Sequence, residues 1–157
     1  MKRLAVVLLC LAMVLMFAGC ADIRATQEED RYQELEQQIL ETLVPATRFE
    51  ITNEDGTVLM TQADLAYVEW TWYSMNADAE GVPVIKTVFN DNGAKKFANV
   101  TKLHSGQELV FLLDGEEIAR PFIGESITNG EAILSFGDDV AVETVIEIAL
   151  RIESTME

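Results

Sequence analysis

The sequence is poor in the residues that carry most side-chain chemistry. Two cysteines, one histidine and three prolines occur among 157 residues. Both cysteines, Cys10 and Cys20, fall at the very start, so beyond them no thiol exists for a disulfide, a metal or nucleophilic attack. Positive charge is also scarce, with 11 basic against 27 acidic side chains and a net charge of −16. So acidic a chain repels polyanions, which argues against nucleic acid or anionic lipid as a partner of its surface. Apolar residues are plentiful at 49%, which excludes a wholly disordered chain. The length suits one domain, able to bury ~68% of its unfolded surface.

Residues 1–20 have the layout of a secretory leader. Lys2 and Arg3 are followed by an apolar run from Leu4 to Phe17 that ends in the small residues Ala18 and Gly19. That run of 14 residues is shorter than the ~20 needed to span a bilayer, so cleavage is favoured over a retained transmembrane anchor. Phe17-Ala18-Gly19-Cys20 resembles the lipobox of bacterial lipoproteins, with Phe17 standing where Leu is usual. The resemblance implies acylation of the Cys20 thiol and removal of residues 1–19. Two acyl chains there would anchor the protein stably to the membrane, where one alone would not.

From residue 20 to 45 the composition is acidic and polar. Tyr32, Leu35, Ile39 and Leu43 recur at helical spacing, and Pro45 closes the segment, so a tether helix is expected. Fewer than three heptads are present, too few for a coiled-coil seam. Residues 46–157 then form the body. Phe49–Thr52 and Thr57–Met60 flank an Asp55-Gly56 turn, a strong hairpin signal. A second hairpin joins Tyr67–Met75 to Val82–Phe89 across a turn at Asn76–Gly81. Asn92-Gly93 ends the strand, and Ala94–Thr101 reads as a helix with Ala94, Phe97, Ala98 and Thr101 on one face, stopped by Gly106.

Leu109–Leu113 has no polar alternation and reads as a central strand covered on both sides. Asp114-Gly115 turns the chain, Ile118–Ile123 is an edge with Pro121, and Glu131–Phe136 is a further strand. The stretch from Val140 to Ile152 satisfies both periods. It alternates as a strand would, yet Val142, Val145, Ile146, Ala149 and Ile152 also form a helical face. Thirteen residues is long for a strand, so a helix is expected, beginning near Asp138 and Asp139.

Read as a whole, Val84–Ile133 resembles the head subdomain in the first large extracytoplasmic loop of the export proteins SecD and SecDF. The matching elements are Gly93-Ala94-Lys95-Lys96-Phe97, Thr101, Gly106, Leu113-Asp114-Gly115-Glu116, Ile118, Pro121, and Ile127 followed by Gly130. The likeness extends over residues 49–153. It implies an α+β fold, a mostly antiparallel curved sheet with two helices on one face. It also implies contact with polypeptides or Sec-associated and envelope proteins outside the membrane. Cleavage after Gly19 would leave no spanning helix, so no coupling to a proton gradient is expected. Arg120 and Asn129 replace smaller residues common in the family.

Most residues that could carry chemistry have a structural reading. Gly93, Phe97, Gly115 and Pro121 specify the fold. His104 lies at a helix end, where it suits the dipole better than catalysis. Asp114, Glu116 and Glu117 cluster at a turn and could serve a carboxylate-dependent envelope hydrolase, but turn carboxylates are usually solvated. Asp91-Asn92-Gly93 lacks the spacing of a calcium loop. No metal, cofactor or catalytic residue is expected. Trp70, Trp72 and Tyr73, with Arg120 and Phe122, are the candidates for partner contact. The two tryptophans share one strand face, which either covers the helices or is exposed. A non-enzymatic binding module leads, with the hydrolase and a purely structural spacer as alternatives.

Overall fold

The computed structural model describes residues 27–74, 81–137 and 139–156. The leader, Cys20 and the tip of the second hairpin therefore lie outside the described residues. Two units are distinguished, residues up to Gln38 and a body from Ile39 onward. Helix α1 covers residues 27–42, with Tyr32, Leu35 and Ile39 half-buried along it.

The body contains nine described strands and two helices. The order is β1 (Phe49–Thr52), β2 (Val58–Thr61), a 3-10 turn (Gln62–Asp64), β3 (Leu65–Tyr73), β4 (Val82–Phe89) and α2 (Asp91–Leu103). Then follow β5 (Gln107–Glu108), β6 (Val110–Leu113), β7 (Glu116–Ala119), β8 (Phe122–Ile123), β9 (Glu131–Ser135) and α3 (Val142–Ser154). All pairings are antiparallel, as expected for this α+β chain, and both hairpins form. Hydrogen bonding divides the strands into three sheets, with orders β2-β1-β6-β7, β3-β4-β9 and β5-β8. Ile118–Ile123 does not run as one strand. Arg120-Pro121 interrupts it, and the Pro121 carbonyl accepts a bond from the Leu109 amide at 3.1 Å. Without an N–H of its own, Pro121 cannot continue the ladder, so β8 pairs with β5 instead.

β6 lies between β1 and β7, and Leu109, Val110, Phe111 and Leu113 are all buried, which explains the unbroken apolar run. The core joins Phe49, Ile51 and Phe111 of the first sheet to Ile85, Phe89 and Leu134 of the second. Phe97 of α2 and Val145, Ala149 and Ile152 of α3 pack into the same core.

The helical reading of the C-terminal stretch holds, but its start does not. Asp139 lies in a turn and Asp138 lies outside the described residues; Ala141 occupies the N-cap and no side chain caps α3. A missing cap costs ~1 kcal/mol, whereas each large buried aliphatic contributes ~1.5–3 kcal/mol. Val145, Ile146, Leu150 and Ile152 are buried, so packing rather than capping decides where this helix forms.

Candidate functional site

Of the residues that carry the resemblance, Gly93, Phe97 and Thr101 lie on α2, and Ile127 and Gly130 lie against it. Asn90 is the N-cap: its Oδ1 accepts from the amides of Asn92 at 3.2 Å and Gly93 at 2.9 Å. Its Nδ2 donates to the Ala63 and Leu65 carbonyls, tying the helix start to the 3-10 turn. The helix therefore begins earlier than Ala94, and Gly93 lies inside it rather than at a break. What glycine supplies there is room. A Cβ at position 93 would stand 2.0 Å from the Asp64 carbonyl oxygen.

Farther along, the buried Thr101 hydroxyl donates to the Phe97 carbonyl and accepts from the Ile127 amide, both at 2.9 Å. Ser126 adds a bond to the Ala98 carbonyl, so the 124–130 loop is stitched to the helix. Gly130 has φ +75°, and a Cβ there would meet the Ala94 side chain at 3.0 Å. His104 is the C-cap of α2, with its Nδ1 2.7 Å from Gln107 Oε1. Gly106 follows at φ +85° and donates to the Ile123 carbonyl. Phe97 and Thr101 of the expected α2 face are buried and Ala94 and Ala98 half-buried, and Val100 is buried beside them.

Asp114 is exposed, as expected of a turn carboxylate, yet its oxygens are engaged in bonds. With φ +53° it precedes Gly115 at φ +87°, the left-handed pair that a two-residue hairpin requires. Its Oδ1 accepts from the Thr47 amide and hydroxyl, each at 2.9 Å, and from the Arg48 amide at 3.1 Å. Arg151 of α3 approaches Oδ2 at 3.4 Å. Beside it, the Ala46 amide donates to Ser154 Oγ at 3.0 Å. One carboxylate thus pins the start of the body to the β6–β7 turn and to α3. The two Thr47 bonds dominate in holding the Asp114 carboxyl below its ordinary value. Glu117 is held low as well, first by its hydrogen bond from Arg120.

Both carboxylates are therefore ionised at neutral pH, which disfavours either as a general acid. The sign of the pH effect follows from the depressed value. Asp114 stabilises the body fully above its unfolded value of 3.8, and the contribution is lost as pH falls through the folded value. Comparison of acid unfolding in the natural chain and in Asp114→Asn should show a shallower fall in stability below about pH 4 for the variant. Equal slopes would contradict the role given to this carboxylate.

The candidate contact residues lie on two different sheets. In β3, Trp70 pairs with Ile85 and is half-buried against the core, so the face it shares with Trp72 is the inner one. Toward the strand end, Trp72 and Tyr73 are 45% and 47% exposed. Arg120 and Phe122 belong to the β7–β8 region. Phe122 stands opposite Glu108 in the β5–β8 ladder and is 65% exposed. Arg120 donates from Nε to Glu117 at 3.0 Å, and its Nη1 lies 4.0 Å from Glu108. Among the described residues no group of acidic or histidine side chains is arranged to hold a metal ion. None of their helices is long and apolar enough to cross a membrane.

Sequence reasoning missed Asn90, Thr47, Arg151 and Ser154. Asn90 carried a local signal, an Asn two residues before an Asn-Gly pair and a helix. The other three act across long stretches of chain, 67 residues for Thr47, 37 for Arg151 and 108 for Ser154, and nothing local marks them.

Antiparallel sheets, two packed helices and body ends that meet at Ala46 and Ser154 define an α+β module. The family described as SecDF, P1 head subdomain, matches residues 52–154, and the chain belongs to that family. The protein translocase subunit SecD of Acidaminococcus fermentans is 31% identical over 115 residues, 73% of this chain and 26% of that protein. SecDF of Thermus thermophilus is 36% identical over 96 residues, 61% of this chain and 12% of that protein. A solved structure of SecDF, described as a membrane component that enhances protein export, superimposes with a TM-score of 0.59 at 26% identity. That match covers 82% of this chain and 68% of the solved one. The chain thus spans about a quarter of the length of the first of these relatives and about an eighth of the second.

Proposed function

We propose that this protein is a lipid-anchored, extracytoplasmic module that contacts polypeptides during export and performs no bond chemistry. The observation that supports this reading most is the family match across the body, whose relatives are translocase subunits. The leader and Cys20 supply the anchor in this reading: acylation of the thiol after cleavage would hold the acidic body near the outer face of the membrane. Polypeptide partners suit a body that keeps Trp72, Tyr73 and Phe122 exposed.

In cells, a photo-crosslinker placed at exposed body positions should trap newly exported polypeptide, and the protein should fractionate with membranes through an acylated Cys20. Cys20→Ser should release it from the membrane fraction. Absence of polypeptide adducts at every exposed position, or membrane retention unaffected by Cys20→Ser, would contradict the proposal. A spacer would give no adducts; a hydrolase would turn over envelope material with dependence on Asp114 or Glu117.

A further inference from the structure

The four-stranded sheet has two unlike ends. At one, Phe49 pairs with Leu113, next to the Asp114 bonds that fix residues 46–48. At the other, Thr52 pairs with both Val58 and Val110, bringing the β1–β2 turn toward Glu108 and Arg120. Glu54 of that turn adds to the negative field at the Arg120 guanidinium, after Glu117 and Glu108. Glu117 and Glu108 therefore share one cation, and with Glu54 contributing to its field the excess charge at this end is negative. Arg120 bonds Glu117 directly and reaches Glu108 only at 4.0 Å, so one guanidinium does not neutralise the carboxylates at this end, and a further cationic group would meet a negative field.

Phe122 is held in this field on a rigid backbone. β8 pairs with β5, the Gly106 amide donates to the Ile123 carbonyl at 2.7 Å, and the Leu109 amide donates to the Pro121 carbonyl. Ser105 Oγ adds a bond to the Gly124 carbonyl at 3.0 Å. Ile123 is buried beneath, while the Phe122 ring projects beside Glu108. An aromatic ring that is exposed yet held by an ordered ladder loses little entropy when a partner covers it. Aromatic anchors of this kind carry much of the energy in protein contacts.

We propose that this end of the body, with Phe122 as anchor and Glu54 and Glu108 as rim, docks an extended polypeptide segment that is both cationic and apolar. The proposal rests on the polypeptide-contact reading and specifies its surface and substrate class. The negative field selects lysine- or arginine-bearing segments, and a second copy of this acidic chain is the occupant it disfavours.

The test uses the full chain and two fluorescent unstructured peptides, one of Lys, Leu, Ser and Gly, the other with Glu in place of Lys. The cationic peptide should bind and weaken as salt rises, and the acidic one should not. Phe122→Ser should lose about tenfold in affinity, and Glu54→Lys with Glu108→Lys a similar amount. Tyr67→Ser, on the β3–β4–β9 sheet, should leave binding unchanged and serves as the control for folding and surface polarity. Binding of the cationic peptide that ignores all of these changes would overturn this surface while leaving polypeptide contact intact. Equal binding of both peptides would overturn the charge selection. No binding of either peptide, together with no cellular adducts, would overturn the broader reading as well. Self-association that is lost in Phe122→Ser would overturn the assignment in favour of a second copy.

Discussion

Replacing Gly93 by alanine lowers the stability of the body by about 2–3 kcal/mol, against the usual benefit of alanine in a helix. Helix propensity alone would favour alanine by ~1 kcal/mol. The added Cβ, however, would lie 2.0 Å from the Asp64 carbonyl oxygen and 2.9 Å from its carbon, both backbone atoms. Overpacking typically costs ~1–3 kcal/mol, and here relief requires moving the 3-10 turn away from α2. That motion strains the Asn90 bonds to Ala63 and Leu65 and the Lys96–Asp64 pair at 2.8 Å. Denaturant unfolding should report the loss directly. Gly124→Ala, with open space around it and an ordinary φ, should change stability by less than ~0.5 kcal/mol. A neutral or stabilising Gly93→Ala would show that the turn and helix do not approach as closely as described.

The second large effect is at Phe97. Its side chain is 1% exposed, and its ring lies 4.4 Å from that of Phe89, inclined by 30°. Truncation to alanine removes the main contact between α2 and β4 and should cost ~3–5 kcal/mol. A domain of ordinary stability has ~5–15 kcal/mol in total, so a large share of the fold depends on this ring. Phe97→Leu, which keeps most of the volume, should cost less than half as much. In a double-mutant cycle with Phe89→Leu, a coupling of ~0.5–1.5 kcal/mol is expected from the ring pair. Additive losses would mean that the two rings bury independently.

The local elements were legible because their signals are local. Asp55-Gly56 and Asp114-Gly115 mark their turns, and the run Leu109–Leu113 marks a strand with neighbours on both sides. The C-terminal stretch was ambiguous by period and resolved by length, and α3 formed where its aliphatic residues could reach the core. Division into three sheets was not legible. Its smallest sheet, β5–β8, depends on Arg120-Pro121 breaking one ladder and on the Leu109 amide taking up the Pro121 carbonyl.

Asp114 illustrates the same limit at the level of a single side chain. Its turn role is written in the adjacent glycine. Its second role, holding Thr47 and Arg48, is set by pairing between β1 and β6 across more than 60 residues. Phe122 is the reverse case. The sequence already offers it as a contact residue, and the ladder with Glu108 adds that it stands exposed opposite a carboxylate.

These two ends of the sheet give the body a direction. One end carries the joint where residues 46–48 meet α3, and the other carries the exposed ring beside Glu54 and Glu108. The most direct measurement is a backbone NMR titration of the full chain with the unstructured Lys-Leu peptide. Amide shifts should concentrate at Glu54, Glu108 and Glu117–Ile123, with Thr47, Arg48 and Arg151 unmoved. Shifts absent throughout, or centred on the Asp114 joint, would contradict the claim that this head contacts polypeptides through its far end.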